Sequence, residues 1–186
     1  MNQKNGKNSL GIDKCFEDLD NPIDLFNNWF KVAQSEEIND PNALALATSD
    51  MNNQPNVRMV LLKGLNKNGF VFYTNLTSKK GEEINKNKKA SMCFHWKSIR
   101  RQVRVLGKLE KVSDNEANTY FNSRPYKNKI GAWASTQSKI LKSREILENK
   151  FENHLMCKVC CPSKFHMCYH IRSHNITAKT DFKSQP

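Results

Sequence analysis

Short apolar or alternating segments follow one another from Ala43 to Val112, and turn-forming residues separate most of them. Such segments predict β-strands, because successive side chains of a strand point to opposite faces. We expect strands at Ala43–Thr48, Asn56–Lys63, Phe70–Thr74, Ala90–Trp96 and Arg101–Val112, with one short helix at Ser78–Asn87. Consecutive strands joined by short turns do not fit alternating βαβ units, so the prediction is a mainly β, α+β fold: a small β-barrel with helices packed outside it.

Apolar residues at helical spacing predict helices on both sides of these strands. Asn21-Pro22 begins the first, whose buried face is expected to carry Ile23, Phe26, Phe30 and Ala33 and which should end near Ile38. Ser113 and Glu116 form a capping box for a second. Further helices are expected at Lys127–Ala134 and Ser143–Asn153. The resulting division is a flexible segment 1–20, one domain 21–153 and a tail 154–186.

The chain has 186 residues and a net charge of +12, which favours anionic partners. Its basic residues are scattered, so an ordinary solvated basic surface is the simpler explanation, and neither a compact basic run nor an RNP-type aromatic pattern supports nucleic-acid binding. The sequence contains no stretch of 18 apolar residues, so no membrane-spanning helix is expected. The uneven placement of the cysteines does not resemble a secreted disulfide framework, so a cytoplasmic location is expected.

The second strand places a cation among apolar residues. Alternation puts Arg58, Val60 and Leu62 on one face, and Val57, Met59 and Leu61 on the other. Arg58 is either an edge-strand arginine that reaches solvent or an arginine at the mouth of the barrel that faces a phosphate. The segment alone leaves both interpretations open.

The helix after Phe70–Thr74 carries Lys79 and Lys80 in its first turn. Cations there oppose the helix dipole, at a cost of a few tenths of a kcal/mol each. A bound phosphate would reverse the sign, because free backbone N–H groups and both ammonium groups could bind one anion. Two exposed lysines tolerated on a surface helix are an equally good explanation.

Two further positions offer polar side chains to a ligand. Gln102 lies on the opposite face of its strand from Val103, and its amide can donate or accept. Tyr120 and Arg124 are four residues apart, so they share a helix face and could clamp a phosphate. They could equally cap carbonyl groups at the helix end.

The order and spacing of these segments resemble pyridoxamine/pyridoxine 5′-phosphate oxidases. The resemblance spans roughly Pro22 to Phe151, and it is carried by RMVLLK, FYTN with SKK, RRQVRV, YFNSRP, IGAWAS and QS. It implies an FMN-binding split β-barrel that works as a homodimer, with FMN at the subunit interface.

The resemblance also implies roles for individual residues. The FMN contacts would be Arg58, Met59, Val60, Leu61, Leu62, Lys63, Tyr73, Thr74, Lys79, Lys80, Gln102, Gln137 and Ser138. The substrate phosphate would be held by Lys63, Tyr120, Arg124 and Asn128. The chain departs from the family at Lys79, where the family usually has Arg, and at Asn128, where it often has Ser. No residue is expected to act as a nucleophile, and no metal is expected.

The implied reaction is oxidation of pyridoxamine or pyridoxine 5′-phosphate to pyridoxal 5′-phosphate, with O2 as acceptor and H2O2 as product. One alternative is a catalytically impaired relative that still binds flavin or pyridoxal phosphate. Another is a split-barrel flavin reductase, against which Tyr120 and Arg124-Pro125 argue because they match substrate-phosphate positions.

The resemblance stops after Phe151. The family continues with a strand-rich segment that holds a Trp in contact with FMN and an Arg-x-His-x-x-Arg stretch. This chain instead has a tail of cysteines and histidines, and zinc could be bound by Cys157, Cys160, Cys161, His166, Cys168, His170 and His174. We prefer an unrelated, poorly ordered terminus. Losing the final strands would expose a barrel edge and weaken or abolish activity.

Overall fold

The computed structural model describes residues 21–66, 69–156 and 167–179. Its elements, in chain order, are α1 (Pro22–Glu36), β1 (Ala43–Ser49), β2 (Pro55–Asn66), β3 (Gly69–Asn75), α2 (Lys79–Lys86), β4 (Lys89–Trp96), β5 (Arg101–Lys111), α3 (Asp114–Ser123), α4 (Tyr126–Ala134), α5 (Arg144–Met156) and β6 (Met167–Lys179). The strands form a closed barrel in the order β1-β2-β3-β6-β5-β4, and all neighbours are antiparallel. The predicted β-barrel with flanking helices is confirmed.

The turn between β1 and β2 is built by its own side chains. The Asp50 carboxylate accepts hydrogen bonds from the backbone N–H groups of Asn52 and Gln54, at 2.9 and 3.0 Å. Asn53 adopts a left-handed φ of 62°, which asparagine tolerates better than most residues. This turn brings β2 back along β1, and it fixes the register in which Leu46 lies opposite Arg58.

The core fills the barrel and the space beneath α1. Asn21 caps α1 by accepting from the backbone N–H of Ile23. Phe26 contacts Phe70 and Phe94 edge to face, with centroids 4.9 and 5.0 Å apart. Trp29, which the predicted buried face omitted, is only 3% exposed, so the buried stripe runs through it. Each such side chain contributes about 1.5–3 kcal/mol by burial.

Helix α2 begins directly against the end of β3. A Cβ atom on Gly81 would lie 2.3 Å from the backbone oxygen of Leu76, so only glycine fits there. Ser78 caps the helix by accepting from the backbone N–H of Gly81. This close approach fixes the positions of Lys79 and Lys80 relative to β3.

Strand β6 corrects one expectation about the tail. The backbone of Met167–Lys179 pairs with β3 and with β5, for example Val71 with His170 and Val105 with Ile176. The expected exposed barrel edge is wrong, because this stretch closes the barrel, whereas the poor order of the tail stays a prediction. Backbone pairing satisfies the N–H and C=O groups of both neighbouring edges and needs no particular side chains.

The zinc ligands considered as an alternative for the tail fall on residues whose side chains the structure does not describe. Cys157, Cys160, Cys161 and His166 lie outside the described residues, and only the backbone of β6 is described. The domain limits at 20 and 153 stay predictions. None of the helices in the described ranges is long and apolar enough to cross a membrane.

Candidate functional site

A cleft of about 530 Å³ opens beside β2 and β3, a size common for small-molecule sites. Helices α2 and α3 and the segment after α4 complete its walls. The lining residues are Arg58, Met59, Val60, Leu61, Lys63, Tyr73, Thr74, Asn75, Lys79, Lys80, Tyr120, Arg124, Gln137 and Ser138. All except Asn75 were predicted from the sequence as site residues. The fold therefore gathers into one cleft side chains that lie up to 80 positions apart in the sequence.

Three predicted site residues do not line this cleft. Leu62 is 5% exposed, and its side chain packs in the barrel core instead. Gln102 lies in β5 and pairs with His95 of β4. Asn128 is exposed in the first turn of α4. Their binding roles stay predictions.

Arg58 reaches inward rather than into open solvent, and its side chain is 22% exposed. Its Nη2 donates to Oε2 of Glu83 at 3.1 Å. Its Nη1 donates to the hydroxyl of Thr48 and to the backbone oxygens of Leu46 and Asn56, the last two at 3.3 and 3.2 Å. The arginine is thereby held at the cleft by groups from β1, β2 and α2.

Sequence reasoning missed Glu83 and Thr48. Thr48 is 3% exposed and continues the inward series of Leu44 and Leu46 along β1, so its alternation was a usable signal. Glu83 is 4% exposed, yet in the sequence it stands in a run of charged residues typical of a solvated helix. Its burial results from tertiary contacts with Thr48 and Arg58, which the sequence does not reveal.

The two lysines of α2 differ in their surroundings. Lys80 is 8% exposed, and its ammonium donates to Oε1 of Gln137 at 3.0 Å and to Oγ of Ser78 at 3.3 Å. Burial, and then the nearby charge of Arg58, lower the pKa of Lys80 from its ordinary value of 10.5. Lys79 is exposed and donates to Oδ1 of Asn56 at 3.3 Å. An anion in the cleft would favour the charged form of Lys80.

The segment after α4 closes one side of the cleft. The Gln137 amide oxygen accepts from Lys80, which ties this segment to α2. Ser138 adopts a left-handed φ of 65°, a conformation that costs about 1 kcal/mol or more for a residue other than glycine. Such strain persists only where surrounding contacts impose it, and here it turns the chain at the cleft wall.

The other side of the cleft is aromatic and cationic. Tyr73 of β3 and Tyr120 of α3 stack face to face, with ring centroids 3.6 Å apart. The Arg124 guanidinium lies 5.9 Å from the ring centroid of Phe121. Lys63 also lines the cleft. Lys63 and Arg124 thus form a second group of cations, which come from other elements than Lys79 and Lys80.

Thr74 indicates that the cleft accommodates a polar ligand. Its side chain is 4% exposed, and its hydroxyl has no hydrogen-bond partner among the described residues. A buried hydroxyl without a partner costs about 1–3 kcal/mol, so a ligand that bonds to it recovers that energy. Cations, aromatic rings and a hydroxyl without a partner in the described chain together suit an aromatic molecule that carries phosphate.

Comparison with known proteins agrees with this chemistry. The profile of the family described as pyridoxamine 5′-phosphate oxidase matches residues 30–157, a range that contains every residue lining the cleft. A pyridoxine/pyridoxamine 5′-phosphate oxidase of Pelagibacter ubique is 59% identical over 150 residues, covering 81% of this chain and 72% of that protein. Proteins with the same description from Sinorhizobium fredii and Agrobacterium fabrum are 59% and 60% identical, each over 72% of this chain and 65% of the relative.

Solved structures support the fold. The crystal structure of PhzG from Burkholderia lata, in complex with tetrahydrophenazine-1-carboxylic acid, superposes with a TM-score of 0.80 at 25% identity, covering 86% of this chain and 80% of that one. A pyridoxamine 5′-phosphate oxidase-related, FMN-binding protein from Nostoc punctiforme gives a TM-score of 0.64 at 17% identity, covering 80% and 79%. The barrel is therefore the split barrel expected from the sequence.

Proposed function

The chain belongs to the pyridoxamine 5′-phosphate oxidase family, and from that premise we propose that it oxidises pyridoxamine or pyridoxine 5′-phosphate to pyridoxal 5′-phosphate with FMN as cofactor. In this proposal O2 is the acceptor and H2O2 the product. The observation that carries it is a single cleft that brings together Lys79 and Lys80 on one element and Tyr120 and Arg124 on another. These sets supply cations for two separate phosphates, one on the cofactor and one on the substrate.

The proposal assigns the cofactor phosphate to the beginning of α2. Lys79 and Lys80 lie in the first turn of that helix, and Arg58 lines the same cleft. A helix N-terminus with adjacent cations is a favourable site for phosphate. Gln137 and Ser138 would make further contacts. When bound, FMN would supply the redox chemistry, while the protein binds it, orients it and excludes water.

The proposal assigns the substrate phosphate to Lys63, Tyr120 and Arg124, with Asn128 as a more distant candidate. Arg124 can bind two phosphate oxygens at once, and the Tyr120 hydroxyl can donate to a third. Binding energy from the phosphate, which does not react, would hold the reacting carbon in position. No side chain is required as a nucleophile.

A homodimer is part of the proposal because β2 presents an apolar row to solvent. Val57 is 67% exposed, Met59 64% and Leu61 38%. Met59 and Leu61 also line the cleft, so a partner that covers this row would complete the site as well. Contiguous exposed apolar side chains mark interaction surfaces in soluble proteins. A cytoplasmic location, suggested by the cysteine pattern, is proposed with the dimer.

A catalytically impaired relative is the second candidate. The matched region spans 72% of the Pelagibacter protein and 65% of the Sinorhizobium protein, so part of each relative has no counterpart in it. The family's expected C-terminal contacts to FMN and substrate are not recognisable in the tail. Such a protein would bind flavin without turning over substrate.

Comparison of FMN with riboflavin tests the proposed cofactor site. Flavin fluorescence is titrated with the purified protein, and the dissociation constants of FMN and riboflavin are compared. Because riboflavin lacks the phosphate, we expect it to bind at least about a hundredfold more weakly, which corresponds to roughly 2.7 kcal/mol for charge-assisted bonds. Equal affinity for both flavins would contradict the phosphate site, and no binding of FMN would contradict the cofactor.

A further inference from the structure

Glu83 is a buried carboxylate that contacts Arg58, a residue that lines the cleft. Its Oε2 accepts from the hydroxyl of Thr48 at 2.6 Å and from Nη2 of Arg58 at 3.1 Å, and its Oε1 accepts from Nδ2 of Asn56 at 2.8 Å. The donors come from β1 and β2, whereas Glu83 belongs to α2. The carboxylate therefore joins three elements at one point.

Arg58 is left with unused donors. Its Nη1 bonds to Leu46, Asn56 and Thr48, and one Nη2–H bonds to Glu83. A guanidinium has five N–H groups. The Nε–H and the second Nη2–H have no partner among the residues that the structure describes, and Arg58 lines the cleft. These donors are available to a ligand while the rest of the guanidinium is held.

Electrostatics alone does not explain a carboxylate at this place. A negative charge within contact of Arg58 reduces the attraction of that arginine for an anion. If Glu83 contributes to ligand binding, it must therefore do so by holding Arg58 in position and not by its charge. An arginine side chain has many rotamers, and one that is already held in place loses less conformational entropy when a ligand binds.

We propose that Glu83 is a positioning residue for the anion site: together with Thr48 it holds Arg58 so that the remaining N–H groups meet the phosphate of the cofactor. The inference rests on the proposed binding of FMN. It adds a role that the carboxylate performs through Arg58, without touching the ligand itself.

The direction in which Glu83→Gln changes FMN affinity distinguishes an effect of charge from an effect of positioning. Glu83→Gln removes the negative charge and the ion pair but preserves the side chain's size. If the carboxylate acted only by its charge, FMN would bind more tightly. If it positions Arg58, FMN should bind about tenfold more weakly, whereas riboflavin, which has no phosphate, should bind with unchanged affinity. A general loss of structure would weaken the binding of both flavins.

Glu82→Gln is the matched control. Glu82 is the preceding residue of the same helix, its side chain is 53% exposed, and it pairs with Lys139 rather than with Arg58. The control removes the same charge, and we expect FMN affinity to stay within about twofold of the unmodified protein. An equal loss of affinity in Glu82→Gln and Glu83→Gln would overturn the inference.

A double-mutant cycle with Arg58→Ala tests whether Glu83 acts through the arginine. Once Arg58 is absent, Glu83→Gln should change the FMN dissociation constant by less than about twofold. A full tenfold effect in that background would overturn the inference. Thr48→Val, which preserves volume and removes the hydroxyl between Arg58 and Glu83, serves if Glu83→Gln does not fold, and it should weaken FMN binding while sparing riboflavin.

The outcomes also separate this inference from the proposed function. If the unmodified protein does not bind FMN, the proposed cofactor fails and this inference fails with it. If the unmodified protein binds FMN and Glu83→Gln binds it equally well or better, only the positioning role of Glu83 is overturned.

Discussion

The ring of Tyr73 stacks on the ring of Tyr120, with centroids 3.6 Å apart and planes inclined by 7°. Tyr73 belongs to β3, on the side assigned to the cofactor, and Tyr120 belongs to α3, on the side assigned to the substrate. Stacked aromatic pairs contribute about 0.5–1.5 kcal/mol beyond their burial. The contact joins the two proposed phosphate sites through one pair of side chains.

Tyr120→Phe should separate the roles of the ring and the hydroxyl. The ring and its stack on Tyr73 remain, so FMN affinity should not change. The hydroxyl that we assign to the substrate phosphate is lost, and a hydrogen bond to a charged group is worth about 1.5–3 kcal/mol. We expect KM for pyridoxamine 5′-phosphate to rise at least about tenfold in steady-state assays. A normal KM together with weakened FMN binding would assign Tyr120 to the cofactor instead.

Lys80 should give FMN binding a pH dependence. The lowered pKa of Lys80 means that its ammonium loses the proton below the ordinary value of 10.5. The charged ammonium predominates below the lowered pKa of Lys80 and attracts phosphate. FMN affinity should therefore fall as the pH rises through that lowered pKa. Flavin titrations across alkaline pH measure this step, which Lys80→Met should abolish.

Lys79→Met is the control for that experiment. Lys79 lies in the same turn but is exposed. Its removal should weaken FMN binding less than removal of Lys80, because charge interactions are screened more strongly at an exposed site, and the pH step that belongs to Lys80 should persist. Persistence of the step in Lys80→Met would show that another group titrates.

Thr74→Val should have opposite effects on the free and the flavin-bound protein. The substitution removes a buried hydroxyl that has no partner in the described part of the chain, and it keeps the volume. We expect the free energy of unfolding without FMN to stay level or rise by up to about 1 kcal/mol. FMN affinity should fall several-fold, and thermal unfolding with and without FMN measures both.

Thr119→Val is the matched substitution for Thr74. The Thr119 hydroxyl is exposed and donates to the backbone oxygen of Asn115 at 2.8 Å. It does not line the cleft. In Thr119→Val, the free energy of unfolding without FMN and the FMN affinity should both stay near those of the unmodified protein. A loss of stability in Thr74→Val without FMN would show that the hydroxyl is already satisfied by the protein.

Met59→Lys should dissociate the proposed homodimer. Met59 is 64% exposed in the apolar row of β2, and a lysine buried at an interface loses its hydration. Met51→Lys is the control, because Met51 is 66% exposed in the turn after β1. Light scattering after size exclusion should give a monomer for the first variant and a dimer for the second. A dimer in both would remove this face from the interface.

The strands and most of the cleft were predictable because they depend on local patterns. Alternation placed Arg58 on the same face of β2 as Val60 and Leu62, which the structure confirms. Tyr120 and Arg124 were expected to share a helix face; both line the cleft, but α3 ends at Ser123 and Arg124 follows it with an extended backbone. The motif resemblance then collected distant residues into one site. These inferences need only the period of each element and the order of the motifs.

The remaining features depend on tertiary contacts that a sequence does not encode locally. Glu83 is buried because α2 lies against Thr48 and Arg58, and the side chain of Leu62 packs in the core instead of lining the cleft. The tail was expected to lack a strand because its residues match no family pattern. Backbone pairing with β3 and β5 forms β6 without such a match.

Turnover by the FMN-saturated protein tests the central claim most directly. Purified protein is loaded with FMN, its dimer is verified, and H2O2 release and pyridoxal 5′-phosphate formation are followed after addition of pyridoxamine 5′-phosphate. We predict that both products form in equal amounts, and that pyridoxamine without the phosphate supports far slower turnover. A flavin-saturated dimer that forms neither product would contradict the oxidase function and leave the catalytically impaired relative as the better account.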